Sequence, residues 1–321
     1  LEIKFPDSEE LVEDDLEDVM AVLKRFKRLC HLHLYFSNCK WVSNDTLFYR
    51  RDLKDLKSLT LSVYGCSNVD EDTFKMLDKI LNKSPNLQQL ELYFGSLSNV
   101  LDKGLSSISD STLSQLKNLE KLMLWFDDAE ALSDSAVTKI AYIIFTAREK
   151  LKHLNLNFFR CRSLTKTHFG YLLNSIKNAK ELSYLQVDFG YCAQISDPMA
   201  AQFLKETLEL PKIETYCISF EDCNQISTLQ IDSLLPHSHL KNLNLNFSNC
   251  SRLGNLRTII DLLNIKSIEN ILIVLDKCEK ISLDDLKAFL SKLKEKMPSF
   301  KSAQIHLKEL DNLTTEEKQK L

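Results

Sequence analysis

"LKHLNLNFFRC" occupies residues 151–161, and "LKNLNLNFSNC", residues 240–250, repeats it eighty-nine positions later. The phrase recurs with variation along the chain: LCHLHLYFSNC from Leu29, LKSLTLSVYGC from Leu56, LQQLELYFGSL from Leu87 and LEKLMLWFDDA from Leu119. LSYLQVDFGYC starts at Leu182, IETYCISFEDC at Ile213, IENILIVLDKC at Ile268 and a weaker FKSAQIHLKEL at Phe300, while a truncated copy, LEIKFPDS, opens the chain. These are eleven units, with strand starts near 1, 29, 56, 87, 119, 151, 182, 213, 240, 268 and 300, so they lie 27 to 32 residues apart. A period in that range is the signature of a solenoid.

Within each unit the middle of LxxLxLxFxxC alternates apolar and polar residues, the period-2 pattern of a strand with one buried face. The period then changes. Leu286, Phe289, Leu290 and Leu293 fall on one helical face, and Phe169, Leu172 and Ile176 do the same. Ser and Asp residues before these segments mark helix starts, and Asp197-Pro198 reads as an N-cap followed by proline in the first turn. A β-α unit of this size cannot bury both of its faces alone, so successive units must stack. The expected fold is an α/β solenoid of about eleven repeats forming a single domain over 1–321. Its parallel sheet would line the concave face of a horseshoe, with helices on the convex face.

A strand motif LxxLxLxFxxC, then Ile, Leu or Val, then Ser or Asp and a helix resembles a leucine-rich repeat, and the resemblance covers essentially the whole chain. The cysteine after the strand, and CAQISD (192–197) and CNQIS (223–227), are similar to cysteine-containing repeats of F-box substrate receptors. The period near thirty and the helical outer segment are closer to ribonuclease-inhibitor-like repeats. An extra "xF" before the cysteine departs from both and lengthens the strand by two residues. The resemblance implies that Cys39, Cys66, Cys161, Cys192, Cys223, Cys250 and Cys278, which share one repeat position, are small buried groups able to hydrogen-bond the turn. Leu97 and Ala129 at the same position agree with a structural role.

Composition narrows the classes of function. The chain is 44% hydrophobic and 27% charged with a net charge of −4, a well-packed composition carrying no global positive field for a phosphate backbone, so nucleic acid is not an expected partner. The longest aliphatic run, Ile271 to Leu275, is far too short to span a bilayer. Nine cysteines without a CxxC pair suggest neither zinc nor a disulfide framework, and a reducing cytoplasmic setting is expected. No GxGxxG, P-loop, HExxH or GxSxG is present, and the histidines, including His237 and His239, are scattered. The expectation is a non-enzyme with no cofactor and no metal.

What remains is the sheet face opposite the helices, which the alternation lets one list residue by residue. Its middle column should run Tyr35, Ser62, Tyr93, Trp125, Asn157, Asp188, Ser219, Asn246, Val274 and His306. Flanking columns add His33, Glu91, Met123, Asn155 and Gln186 on one side, and Tyr64, Asp127, Phe159, Glu221 and Asp276 on the other, with Lys308 as the main opposing charge. The candidate protein-binding residues are therefore Tyr35, Tyr64, Tyr93, Met123, Trp125, Asp127, Phe159, Asp188 and Glu221. Aromatic groups crowd the first half and carboxylates lie among and beyond them, a surface suited to a protein or peptide with apolar and basic groups.

The chain opens inside a strand and closes on TTEEKQKL, which leads to the expectation of a segment from a longer array. Together these features point to a non-catalytic scaffold, adaptor or assembly subunit that binds a protein on its concave face. The family resemblance leaves two alternatives: a substrate-recognition subunit of an F-box ubiquitin ligase, although no F-box is visible, and a small-GTPase activator of the Ran-activator type.

Overall fold

The structure, a computed structural model, describes residues 1–4, 26, 28–36, 38, 53–67, 69–97, 100–129, 132–231 and 239–310. Two compact units are described. The first comprises 1–163 with 174–181, and the second 164–173 with 182–321.

The first unit contains strands β1 (Glu2–Lys4), β2 (His31–Tyr35), β3 (Ser58–Ser62), β4 (Gln89–Tyr93), β5 (Lys121–Trp125) and β6 (His153–Asn157). Each pairs in parallel with its neighbour in sequence, one repeat apart: Leu59 faces Leu90, Leu90 faces Leu122, and Leu122 faces Leu154. The outer layer is α1 (Glu71–Asn82), α2 (Leu101–Ser107), α3 (Asp110–Leu113) and α4 (Asp134–Ala147). The expected Ser/Asp helix starts appear as N-caps, with Asp70, Ser109 and Ser133 each accepting from a main-chain N–H two or three residues on. Phe74 of α1 meets Phe94, just past β4, edge-on with centroids 5.1 Å apart, so the helices cover the face that carries the repeat leucines.

The second unit repeats the plan with β7 (Tyr184–Asp188), β8 (Thr215–Ser219), β9 (Asn242–Asn246), β10 (Asn270–Val274) and β11 (Ser302–His306), again parallel and in sequence order. Its helices are α5 (Lys166–Ile176, of which 166–173 belong here), α6 (Asp197–Leu208), α7 (Arg257–Leu262) and α8 (Leu283–Lys296). Leu286, Phe289 and Leu293 of α8 are buried as the helical period requires. No helix occurs among the described residues between β8 and β9.

These are leucine-rich-repeat solenoid units, with a parallel sheet on one side and helices on the other. The extra "xF" has a clear role in them. Its aromatic ring turns inward at 0–1% exposure in Phe36, Phe94, Phe126, Phe158, Phe189, Phe220 and Phe247. In the second unit the rings stack, with Phe189, Phe220 and Phe247 at 5.7 Å intervals. The parallel ladder also runs beyond the five-residue strands, since Phe94 N donates to Trp125 O and Ser96 N to Asp127 O.

After that ladder every described repeat enters the left-handed region at the residue before the cysteine position: Asn38, Gly65, Ser96, Asp128, Arg160, Tyr191, Asp222, Asn249, Lys277 and Glu309 all have φ between 53° and 67°. Gly, Asn and Asp tolerate this, whereas Arg, Tyr, Lys and Glu do so at a cost of roughly 1–2 kcal/mol. The turn directs the next side chain back into the core, where Cys66, Cys161, Cys192, Cys223, Cys250 and Cys278 are all buried. Cys39 lies outside the described residues. The eight described cysteines form no disulfide.

Asp197 departs from the sequence expectation. The N-cap of α6 is Ser196, and Asp197 is already helical. Its carboxylate instead reaches into the next repeat, accepting from the amides of Ser227, Thr228 and Leu229 at 2.7, 2.9 and 3.2 Å and from the Ser227 hydroxyl at 2.5 Å. That repeat starts no helix here, so its exposed amides need an outside acceptor. Burial opposes ionisation of Asp197, but these donors outweigh it and hold the carboxyl below its ordinary value.

Candidate protein-binding face

On the sheet face of the first unit that carries no helix among the described residues, the register sets Tyr35 beside Ser62, Ser62 beside Tyr93, Tyr93 beside Trp125, and Trp125 beside Asn157. The neighbouring column places Glu91 between Thr60 and Met123. Tyr64, Asp127 and Phe159 follow one rung beyond the strands, on the extended ladder. These rows match those written from the alternation.

None of these side chains stands fully in water. Tyr35, Tyr64, Tyr93, Met123, Trp125, Asp127 and Phe159 are all half-buried, because the large groups lean over the small ones. Ser62, flanked by Tyr35 and Tyr93, is only 5% exposed, and Thr60 in the adjacent column is fully covered. Tyr93 and Trp125 meet edge-on with centroids 5.3 Å apart.

Glu91 is the polar hub of this face. Its Oε1 pairs with Lys121 at 2.6 Å, and its Oε2 accepts from the Tyr93 hydroxyl at 3.3 Å and from Thr60 at 3.5 Å. Thr60 Oγ1 in turn lies 2.7 Å from His33 Nδ1. Burial, with help from Glu91, pushes the Tyr93 phenol up to about 12, so it remains a donor throughout the physiological range. Burial lowers His33, and burial with Lys121 lowers His153, leaving both imidazoles neutral at pH 7. The sequence reading overlooked Lys121. It occupies the first strand position, a column not included there, and it is the counter-charge of Glu91.

Over Gly95 the chain makes a close approach. A Cβ there would lie 2.3 Å from Asp127 Oδ1 and 2.6 Å from Tyr64 Cε2, so the carboxylate and the ring share the space that a side chain would fill.

The corresponding face of the second unit is polar. Asn270 donates to Asn242 at 2.7 Å and Asn242 to Thr215 at 2.9 Å, a side-chain ladder across three strands. Asp188 accepts from Gly190 N at 2.8 Å, and burial raises its carboxyl despite that bond and one from Ser219. Glu221 accepts from Asn246 at 3.4 Å and is also raised, by burial first and then by the charges of Asp188 and Asp222. Burial alone lifts the Cys217 thiol on this face to about 11.

No known protein family and no curated protein matches the chain. Solved structures resemble it in fold. A chain of the yeast Rad7–Elc1 complex is 17% identical over 95% of this chain and 85% of its own length, with a TM-score of 0.45. The leucine-rich repeat-containing protein LegL7 from Legionella pneumophila is 14% identical over 95% and 90%, with a TM-score of 0.39.

Among the described residues no three His, Cys, Asp or Glu side chains converge as metal ligands, and no helix is long and apolar enough to cross a membrane. His237 lies outside the described residues, and His239 is exposed. What the two faces offer is recognition chemistry: half-buried rings with a paired charge in the first unit, amides and carboxylates in the second.

Proposed function

We propose that the protein is a non-catalytic interaction scaffold, an adaptor or assembly subunit, and that the helix-free face of its first unit binds a protein partner carrying apolar and basic groups. One observation carries this reading. Five aromatic side chains, Tyr35, Tyr64, Tyr93, Trp125 and Phe159, occupy a face on which no helix packs among the described residues. Cross-strand contact stabilises such rings only in part, and half-exposed Tyr and Trp are the residue types that most often anchor protein interfaces. In the second unit Asp188 and Glu221 ionise against burial, and a cationic partner group would relieve that cost. The outer helices, up to 14 residues long, favour the ribonuclease-inhibitor-like type of repeat.

Site-specific photocrosslinking tests the reading. Benzoylphenylalanine replacing Tyr93 should capture a discrete protein from native extract, and the same probe replacing Phe145, 40% exposed on α4, should not. Capture from Phe145 alone would place recognition on the helices and contradict the proposal.

A further inference from the structure

In the second unit, Asn242, Asn244 and Asn246 present three carboxamides on one side of β9, two residues apart. The outer two are engaged. Asn242 accepts from Asn270 at 2.7 Å and donates to Thr215 at 2.9 Å. Asn246 donates to Ser219 and Glu221, both at 3.4 Å, and accepts from the Ser248 amide at 3.0 Å. Asn244 between them hydrogen-bonds no described residue. The register sets Cys217 on one side of it and Leu272 on the other, and neither can complete a carboxamide. Half-buried, Asn244 therefore offers a carbonyl and an amino group side by side, the complement of the N–H and C=O along an extended main chain.

The same face carries charge of one sign. Asp188 lies beside Ser219, and Glu221 follows two residues beyond Ser219. Their bonds come from neutral groups, the Gly190 amide and Ser219 hydroxyl to Asp188 and the Asn246 carboxamide to Glu221, and the charge of Asp188 works against that of Glu221. No lysine or arginine occurs within β7, β8 or β9. Lys308 follows β11, three strands from β8.

We propose that the sheet face of the second unit docks an extended segment of the partner, its main chain hydrogen-bonded to Asn244 and a lysine or arginine side chain directed to Glu221 and Asp188. The inference rests on reading the protein as one that binds a protein partner. A segment running along β9 matches its spacing, since two extended residues advance about 7 Å on both chains. A side chain one such step beyond Asn244 reaches the level of Asn246, which itself contacts Glu221. There a cation gains a charge-assisted contact and offsets the opposition between the two carboxylates.

The probes are three fluorescein-labelled hexapeptides: alternating Thr-Lys, alternating Thr-Gln, and Thr-Lys with its threonine amides N-methylated, so that charge is kept while main-chain donors are lost. Fluorescence anisotropy should show the Thr-Lys peptide binding at least tenfold more tightly than either control. Asn244→Leu and Glu221→Gln, each checked for folding by circular dichroism, should weaken it roughly tenfold, whereas Tyr93→Ala/Trp125→Ala should leave it unchanged. Equal binding of the N-methylated peptide, absence of binding at millimolar Thr-Lys peptide, or unchanged affinity in folded Asn244→Leu would overturn the proposal. Its failure is distinguishable from failure of the first-unit reading, because capture through position 93 would then still succeed.

Discussion

Cys278 donates its thiol to the main-chain carbonyl of Phe247, 3.1 Å away and one repeat earlier in the chain. Cys250 does the same to Phe220 at 3.1 Å, Cys223 to Phe189 at 3.2 Å, Cys161 to Phe126 at 3.3 Å, and Cys66 to Phe36. The carbonyls of these five inward phenylalanines thus each receive a thiol from the following repeat, which ties neighbouring turns together. Replacing Cys250 with alanine removes a weak bond and opens a small cavity, at an expected cost of about 1 kcal/mol in urea unfolding.

These thiols also fix an alkaline response. Burial pushes Cys278 up to about 12 and Cys250 well above its ordinary value, against about 8.5 in the unfolded chain. A raised folded pKa means that the stabilisation is complete below about pH 8.5 and is lost as pH rises toward the folded value, because only the unfolded thiol ionises in between. Each thiol should contribute a loss of about 1.4 kcal/mol per pH unit in that window. Unfolding free energies measured from pH 8 to 10 should fall more steeply for the wild type than for Cys250→Ala/Cys278→Ala, and parallel curves would refute the assignment.

Asp197 gives the complementary acid response. Its folded pKa is lowered, so its contribution is present above about pH 3.9 and disappears as pH falls through the folded value. Asp197→Ala strands three amides of the next repeat and should cost about 2 kcal/mol at pH 7. The difference from wild type should shrink in acid, as chemical denaturation at pH 7 and pH 3 would show.

Tyr216 takes the place of a repeat leucine in β8 and is fully buried, its hydroxyl 2.7 Å from Thr207 Oγ1, which also donates to Phe203 O at 2.6 Å. Tyr216→Phe should lose about 1 kcal/mol. Thr207→Val should lose more alone than in the Tyr216→Phe background, a coupling that a double-mutant cycle measures directly.

Gly95→Ala should separate binding from stability. The atoms it would displace, Asp127 Oδ1 and Tyr64 Cε2, belong to side chains that can swing away. The expected loss of stability is therefore about 1 kcal/mol, accompanied by displacement of both groups from the face and weaker partner binding.

The strands and their facing columns were legible in the sequence because a period of two, repeated about every thirty residues, leaves one register that buries every leucine. Tyr35, Ser62, Tyr93, Trp125 and Asn157 consequently align as the alternation requires. The left-handed row was partly visible, since Asn38, Gly65, Ser96, Asp128, Asp222 and Asn249 are residue types common in turns, but Arg160, Tyr191, Lys277 and Glu309 at the same position hid it. Contacts between repeats were not legible. Asp197 serves a loop thirty residues away and Lys121 a glutamate on the neighbouring strand, and neither spacing differs from that of an ordinary surface charge. The acceptor of each thiol was hidden for the same reason, because it is a main-chain carbonyl, which leaves no mark in the sequence.

The central claim is that the aromatic face of the first unit is a protein-binding surface. It is tested most directly by the dissociation constant of the partner captured through position 93, measured with purified components for the wild type and for Tyr93→Ala/Trp125→Ala, with circular dichroism confirming that both are folded. Truncating two central anchors should weaken binding by roughly 30-fold or more. An unchanged dissociation constant in the folded variant would show that the rings serve the sheet alone and would contradict the account.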